Sequence, residues 1–94
     1  MAKPHSPFSG IDNYLPADTG AIRAMAVGEA TPDQQSRALK FIVETLCATY
    51  DLSYRETDRD TAFVEGRRFV GTQIVKHTRL DLERVVQLKG TKNG

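Results

Sequence analysis

The part of the sequence that decides the fold is residues 58–77, which read DRDTAFVEGRRFVGTQIVKH. Apolar residues recur there every three or four positions, the repeat of a helix that buries one side. One face carries Ala62, Phe63, Gly66, Phe69, Val70, Gln73, Ile74 and His77, and the opposite face carries Glu65, Arg68, Thr72, Lys76 and Arg79. The pattern predicts an amphipathic helix over about residues 58–77, with Asp58 or Asp60 as its cap.

A glycine, Gly66, stands in the middle of this apolar face, where it costs about 1 kcal/mol relative to alanine. The usual compensation is the close approach of another backbone, so we expect the tightest helix crossing at Gly66. The residues expected to pack around that crossing are Phe63, Val70 and Ile74. A second, weaker apolar strip beside Arg67 indicates another packing surface, formed by Val64, Gly71 and Val75.

A strong helix start precedes this segment at Thr31-Pro32-Asp33. Threonine accepts from free N–H groups, proline fits the first turn, and aspartate favours the positive end of the helix dipole. The sequence predicts a helix over about residues 32–50. Its apolar residues spread over a wider arc than the roughly 100° that is enough to face a core. We therefore expect this helix to contact two elements, or one element and a second subunit.

The connection between the two helices is short, which predicts an antiparallel helical hairpin. A third, shorter helix is expected over about residues 81–89, with Gly90 as its stop. Residues 85–88 also suit a strand, but the sequence offers no second strand to pair with them. The predicted fold class is therefore all-α, with one small helical domain over residues 31–90 and a frayed tail over residues 91–94.

The N-terminal segment, residues 1–30, holds three of the four prolines, so no stable long helix is expected to begin there. Only residues 20–27 suit a short helical turn. The segment is nevertheless too apolar for a simple linker, and we predict an irregular arm that docks on another surface. The aromatic candidates for intermolecular contact, from the arm and the first helix, are Phe8, Tyr14, Phe41 and Tyr50.

The composition describes a small domain without secretory features. Ninety-four residues can bury only a small core, so self-association is expected to contribute to stability. A single cysteine, Cys47, excludes an intrachain disulfide and favours a reducing compartment. The sequence shows neither the apolar stretch of a signal peptide nor a run long enough to span a membrane.

Groups that carry chemistry are sparse. The histidines and the cysteine, His5, Cys47 and His77, lie far apart in sequence and predict no metal site. Sequence alone leaves open a Cys47–His77 nucleophile pair, although a small buried thiol is the ordinary interpretation of Cys47. The glycines of residues 65–71 lie inside a helix rather than after a strand, so no phosphate loop is predicted. We expect no catalytic, cofactor-binding or metal-binding residues and no enzyme activity.

Basic side chains concentrate in the second predicted helix, although the net charge of the chain is only +1. They are Arg67, Arg68, Lys76 and Arg79. A solvated helix surface with ion pairs is the ordinary interpretation, and contact with a nucleic-acid backbone or an acidic protein is the alternative.

The segment TAFVEGRRFVG, residues 61–71, resembles a family of small tailed-phage proteins that is best represented among short-tailed phages of proteobacteria. The similarity covers about residues 36–80 and rests on the Ala-Phe-x-Glu-Gly-Arg-Arg-x-Val-Gly core. It implies a phage-encoded protein without known catalysis, located in the host cytoplasm, the virion or both. The predicted function is a small virion or morphogenesis component that contacts itself or another phage protein. The alternative is a nucleic-acid-binding or host-inhibiting regulator that uses the basic face.

Overall fold

The computed structural model describes residues 10–90, and within them it contains helices and no strand. The α-helices are α1 (Pro16–Ala26), α2 (Pro32–Lys40), α3 (Asp58–Arg79) and α4 (Leu82–Lys89), and a π-helical segment (Phe41–Leu46) directly continues α2. The predicted all-α class is confirmed. The strand considered for residues 85–88 is wrong, because these residues belong to α4.

Helix α1 lies in the segment that was expected to be irregular, so that part of the prediction is wrong. Pro16 occupies the first turn, where its missing N–H costs nothing. The backbone N–H of Leu15 donates to Asp18 Oδ2 at 2.9 Å, which holds the start of the helix. The helix ends at Ala26, and Gly28 two residues later has a φ of 75°, which suits glycine and closes the last turn. Local capping therefore outweighs the prolines and glycines around it.

Helix α1 packs against α2. Each helix contributes one fully buried alanine, Ala21 and Ala38, whose small side chains permit a close approach. An ion pair between Arg37 Nε and Asp18 Oδ1, 2.8 Å apart, joins the same two helices at the surface. Part of the wide apolar arc of the first predicted helix is therefore covered by α1.

The first predicted helix begins at Pro32 as expected but ends at Leu46 rather than near residue 50. Its last turn is π-helical, and the N–H of Cys47 donates to the carbonyl of Ile42 five residues back, at 2.9 Å. Ala48 then adopts a left-handed conformation with a φ of 50°. Because alanine carries no local signal for this conformation, the early end was not visible in the sequence.

Helices α3 and α4 lie close to their predicted positions. The cap of α3 is Thr57, whose hydroxyl accepts from the N–H of Asp60, rather than Asp58 or Asp60 as expected. Helix α4 is capped by Asp81 and followed by Gly90, in agreement with the predicted third helix. None of the residues of α4 itself is buried. The predicted tail, residues 91–94, lies outside the described residues.

The core is small. The π-helical segment packs against the middle of the chain's longest helix, α3, while α2 packs against α1. Among residues 10–90, the only large side chain that is fully buried is Val64. The buried residues are Ala21, Ala38, Val43, Cys47, Ala48, Thr49, Val64 and Gly71. Much of the apolar surface is consequently left on the outside.

Candidate functional site on helix α3

The side of α3 that packs against the rest of the chain is the weaker of its two apolar strips. Val64 is fully buried and Gly71 is buried, and Gly71 faces the segment that follows the π-helical turn. A Cβ built on Gly71 would overlap the hydroxyl oxygen of Thr49 and lie 2.9 Å from the Cβ of Cys47. The Thr49 hydroxyl donates to the carbonyl of Val43 at 2.6 Å. Glycine is therefore required at position 71.

The close approach lies at Gly71 rather than at Gly66, so the prediction for Gly66 is wrong within this chain. A Cβ built on Gly66 would meet no atom within 4 Å among the described residues. The residues expected to pack around it are largely outside: Val70 is 51% exposed and Phe63 38% exposed, and Ile74 is half-buried. The sequence held the signal for the correct side in the strip of Val64, Gly71 and Val75, which has smaller side chains.

Two arginines of α3 hold the end of the π-helical segment. Arg67 donates from Nε to the carbonyl of Leu46 at 3.0 Å and from Nη2 to the carbonyl of Thr45 at 3.3 Å. Arg68 donates from Nε to the carbonyl of Thr49 at 3.2 Å. The last carbonyls of a helix lack partners within the helix and carry partial negative charge, so the Arg67 guanidinium is favourably placed. Arg68 holds the turn that follows the helix. Sequence reasoning missed this role, because the helix end itself was misplaced.

A polar cluster around Glu65 supports Arg68. The Ser53 hydroxyl donates to the Glu65 carboxylate, and this hydrogen bond lowers the pKa of Glu65. Partial desolvation acts in the opposite direction, and the Arg68 guanidinium, 3.1 Å away at Nη1, lowers the pKa further. Glu65 and Arg68 thus connect α3 to the loop before it. In the Glu-Gly-Arg-Arg motif of residues 65–68, the glutamate and both arginines therefore make contacts that stabilise the fold.

The predicted basic face is divided by these contacts. Arg67 and Arg68 are turned toward backbone carbonyls of their own chain, whereas Lys76 and Arg79 lie exposed farther along α3. Two of the four cations are thereby committed to the fold. The remaining pair is a weaker basis for binding a phosphate backbone than the sequence indicated.

The side of α3 that faces away from Val64 and Gly71 is apolar and exposed, and we call it the outer face. It consists of Phe63, Gly66, Phe69, Val70, Gln73, Ile74 and His77. Phe69 is 62% exposed, although burial of a phenylalanine is strongly favourable. A shallow apolar groove of about 490 Å³ runs along the C-terminal half of this face, from Phe69 to Thr78. The residues that line this groove all belong to α3.

The aromatic contact candidates are distributed over several surfaces. Tyr14 and Tyr50 are exposed, Phe41 is half-buried, and Phe8 lies outside the described residues. The loop between the π-helical segment and α3 adds two exposed apolar side chains that the sequence analysis did not single out. They are Leu52 and Tyr54, which are 85% and 80% exposed.

Neither a metal site nor the Cys47–His77 pair is assembled by the described residues. Within residues 10–90, no group of three or more His, Cys, Asp or Glu side chains is placed to hold a metal ion. Cys47 is buried beside Gly71, whereas His77 is exposed on the outer face, so these two do not form a pair. No helix in this part of the chain has both the length and the apolar character of a membrane span.

Comparison of the chain with models of protein families, with curated proteins and with solved structures finds no match. The resemblance of residues 61–71 to small tailed-phage proteins therefore stays a prediction.

Proposed function

We propose that this chain is a non-enzymatic protein that acts by protein–protein contact through the outer face of α3. The observation that carries the proposal is the orientation of α3, which packs its smaller residues inward and leaves Phe69 and Val70 accessible. An apolar face of this kind on a folded domain is typical of an interaction site.

The supporting argument is that Phe69 and Val70 lie outside the buried core, with 62% and 51% of their surface exposed. Contacts on the other side hold α3 to the chain, among them those of Gly71 and of the two arginines. A residue that contributes neither to the core nor to the hydrogen bonds gains stabilisation from burial only when another molecule covers it. The same argument applies to Gly66, because no atom of the described residues comes close enough to require a glycine at this position.

As the setting for this contact, we propose a small virion or morphogenesis component of a tailed phage, as the motif of residues 61–71 implies. Mass spectrometry of purified particles of the phage that carries the gene tests this setting. We expect peptides of the chain in the particle or in an assembly intermediate. Their absence from both would contradict the phage assignment while leaving the contact surface open to its own test.

The contact surface is tested by placing the photo-crosslinking residue p-benzoylphenylalanine at position 69 of the full chain in the cells that express it. The matched control carries the same residue at position 72, which is exposed on another side of α3. We expect illumination to attach a protein at position 69 and none at position 72. Equal capture at both positions, or none at position 69, would refute a specific contact through the outer face.

A further inference from the structure

A second groove lies on another side of α3, and we infer that it binds one nucleotide unit, with the phosphate held by Lys76 and Arg79 and the base stacked on Tyr50. A nucleotide unit occurs both as a free nucleotide and within a single strand, and the shared chemistry is one phosphate and one planar base. The groove shares no residue with the outer face, so this inference goes beyond the proposed protein contact and does not depend on it.

The groove lies between the turn that follows the π-helical segment and the C-terminal half of α3. Its volume is about 380 Å³, and it is lined by Thr49, Tyr50, Thr72, Val75, Lys76 and Arg79. This volume is near the lower end of the range of about 300–1,000 Å³ that small-molecule sites occupy. The groove therefore suits a ligand of the size of one nucleotide.

Both ionised side chains of the groove are cations, and none of its lining residues is acidic. Lys76 and Arg79 are exposed, and within residues 10–90 neither side chain makes an ion pair or a hydrogen bond. Arg67 and Arg68, by contrast, donate to carbonyls of their own chain. The groove consequently favours an anion, and a lysine and an arginine three residues apart on one helix suit a single phosphate group.

Tyr50 supplies the surface for the base. It belongs to the turn rather than to α3, it is 65% exposed, and it lines the same groove as the two cations. Nucleic-acid bases stack on exposed aromatic side chains, with cations nearby to neutralise the phosphate. The negative end of the helix dipole accounts for basic residues in the last turns of α3, but it does not account for an aromatic ring beside them.

The number of these groups sets the size of the ligand. A DNA duplex carries one negative charge for about every 1.7 Å of its axis, and proteins bind it through a series of cations. Two cations and one ring match one phosphate and one base instead. Arg67 and Arg68 do not extend the groove, because they are bound to the carbonyls of Leu46 and Thr49.

The test uses the full chain at low salt with three probes, which are thymidine monophosphate, a short single-stranded oligothymidylate and inorganic phosphate. Amide chemical shifts in nuclear magnetic resonance report where each probe binds. We expect both thymidine probes to shift the amides of Tyr50, Lys76 and Arg79, and inorganic phosphate to shift them only at much higher concentration. Shifts with the oligothymidylate but not with the monophosphate would identify the single strand as the source of the nucleotide.

Fluorescence anisotropy of a labelled oligothymidylate measures the contribution of each group. Two phosphate contacts give a slope of about −1.4 in log K against log salt, so affinity should fall about sevenfold between about 50 and 200 mM salt. Lys76→Gln and Arg79→Gln should each halve this slope. The matched control Arg84→Gln removes the same charge from an exposed position of α4 and should leave the slope unchanged.

The aromatic contact has its own pair of variants. Tyr50→Ala should weaken binding of the oligothymidylate about 5- to 150-fold, the range typical of the loss of one stacked base. Tyr50→Phe keeps the ring and should bind within about twofold of the wild type. The control Tyr54→Ala removes another exposed tyrosine, outside the groove, and should have no effect. Far-UV circular dichroism should show that each variant remains folded.

Several results would overturn the inference. The first is an absence of shifts at Tyr50, Lys76 and Arg79 with either thymidine probe. The second is inorganic phosphate binding as tightly as thymidine monophosphate, because the base would then contribute nothing. The third is an equal loss of affinity in Arg84→Gln and Arg79→Gln, which would show attraction by net charge rather than a site. None of these results bears on capture of a protein at position 69, which tests the proposed function separately.

Discussion

A methyl group added at Gly71 provides the sharpest test of the packing described above. The Cβ of Gly71→Ala would overlap the Thr49 hydroxyl oxygen and lie 2.9 Å from the Cβ atoms of Cys47 and Thr49. These neighbours are buried and belong to a backbone segment that Arg68 holds by the carbonyl of Thr49, so they cannot yield easily. The substitution should therefore force α3 away from the π-helical segment.

The magnitude follows from three contributions. Overpacking of a well-packed site costs about 1–3 kcal/mol. Displacement of Thr49 breaks its hydrogen bond to the carbonyl of Val43, and a buried polar group left without a partner costs about 1–3 kcal/mol. Alanine gains about 1 kcal/mol over glycine in a helix. The sum is a loss of about 1–5 kcal/mol in the free energy of unfolding, a large fraction of what a domain this small possesses.

The assay is urea unfolding of the full chain followed by far-UV circular dichroism. The matched control is Gly20→Ala, another glycine inside a helix, where the added Cβ meets no described atom within 4 Å and stability should rise by about 1 kcal/mol. Addition of Thr49→Ala should recover part of the loss in Gly71→Ala, because it removes the overlapping hydroxyl. A Gly71→Ala chain as stable as the wild type would refute the proposed packing of α3.

Three further predictions test other contacts. Arg67→Met should lower the free energy of unfolding by about 1–2 kcal/mol, because the carbonyls of Leu46 and Thr45 lose a charged donor. The control Arg84→Met, on the exposed helix α4, should change it by less than about 0.5 kcal/mol. Equal effects of the two substitutions in urea unfolding would contradict the role of Arg67. The Asp18 pKa lies below its ordinary value of 3.8, mainly through the hydrogen bond from the Leu15 N–H, with the Arg37 guanidinium also lowering it against partial desolvation. The contribution of Asp18 to stability is therefore complete above pH 3.8 and is lost as the pH falls through the lower pKa of the folded state. Asp18→Asn should therefore reduce the pH dependence of the free energy of unfolding in that acid range. An unchanged pH profile would count against the contact. The Cys47 thiol should react with a thiol reagent much more slowly in the folded chain than in urea, and faster in Gly71→Ala than in wild type; rapid labelling of the folded wild type would show that the core opens at this point.

The sequence by itself determined where most helices begin and which secondary structure the chain adopts. The start of α2 at Thr31-Pro32 and the limits of α4 at Asp81 and Gly90 depend on groups within a few residues of each other. The start of helix α1 is also set by local groups, Pro16 and Asp18. The prediction nevertheless gave more weight to the prolines and glycines of the N-terminal arm and missed this helix. Periodicity likewise determined the extent of α3.

The tertiary structure decided which side of α3 faces the chain. Hydrophobicity favoured the side with Phe63 and Val70, because it carries the larger apolar side chains. The chain packs on the side with Gly71, where the preceding helix ends early at Leu46, the backbone turns at Ala48, and Thr49 lies against Gly71. The carbonyls of Thr45, Leu46 and Thr49 accept there from Arg67 and Arg68. Only a small residue fits there, and only the arginines of that side satisfy those carbonyls. Because Ala48 carries no sequence signal for its left-handed conformation, the sequence could not place this helix end and could not assign the outer face to solvent.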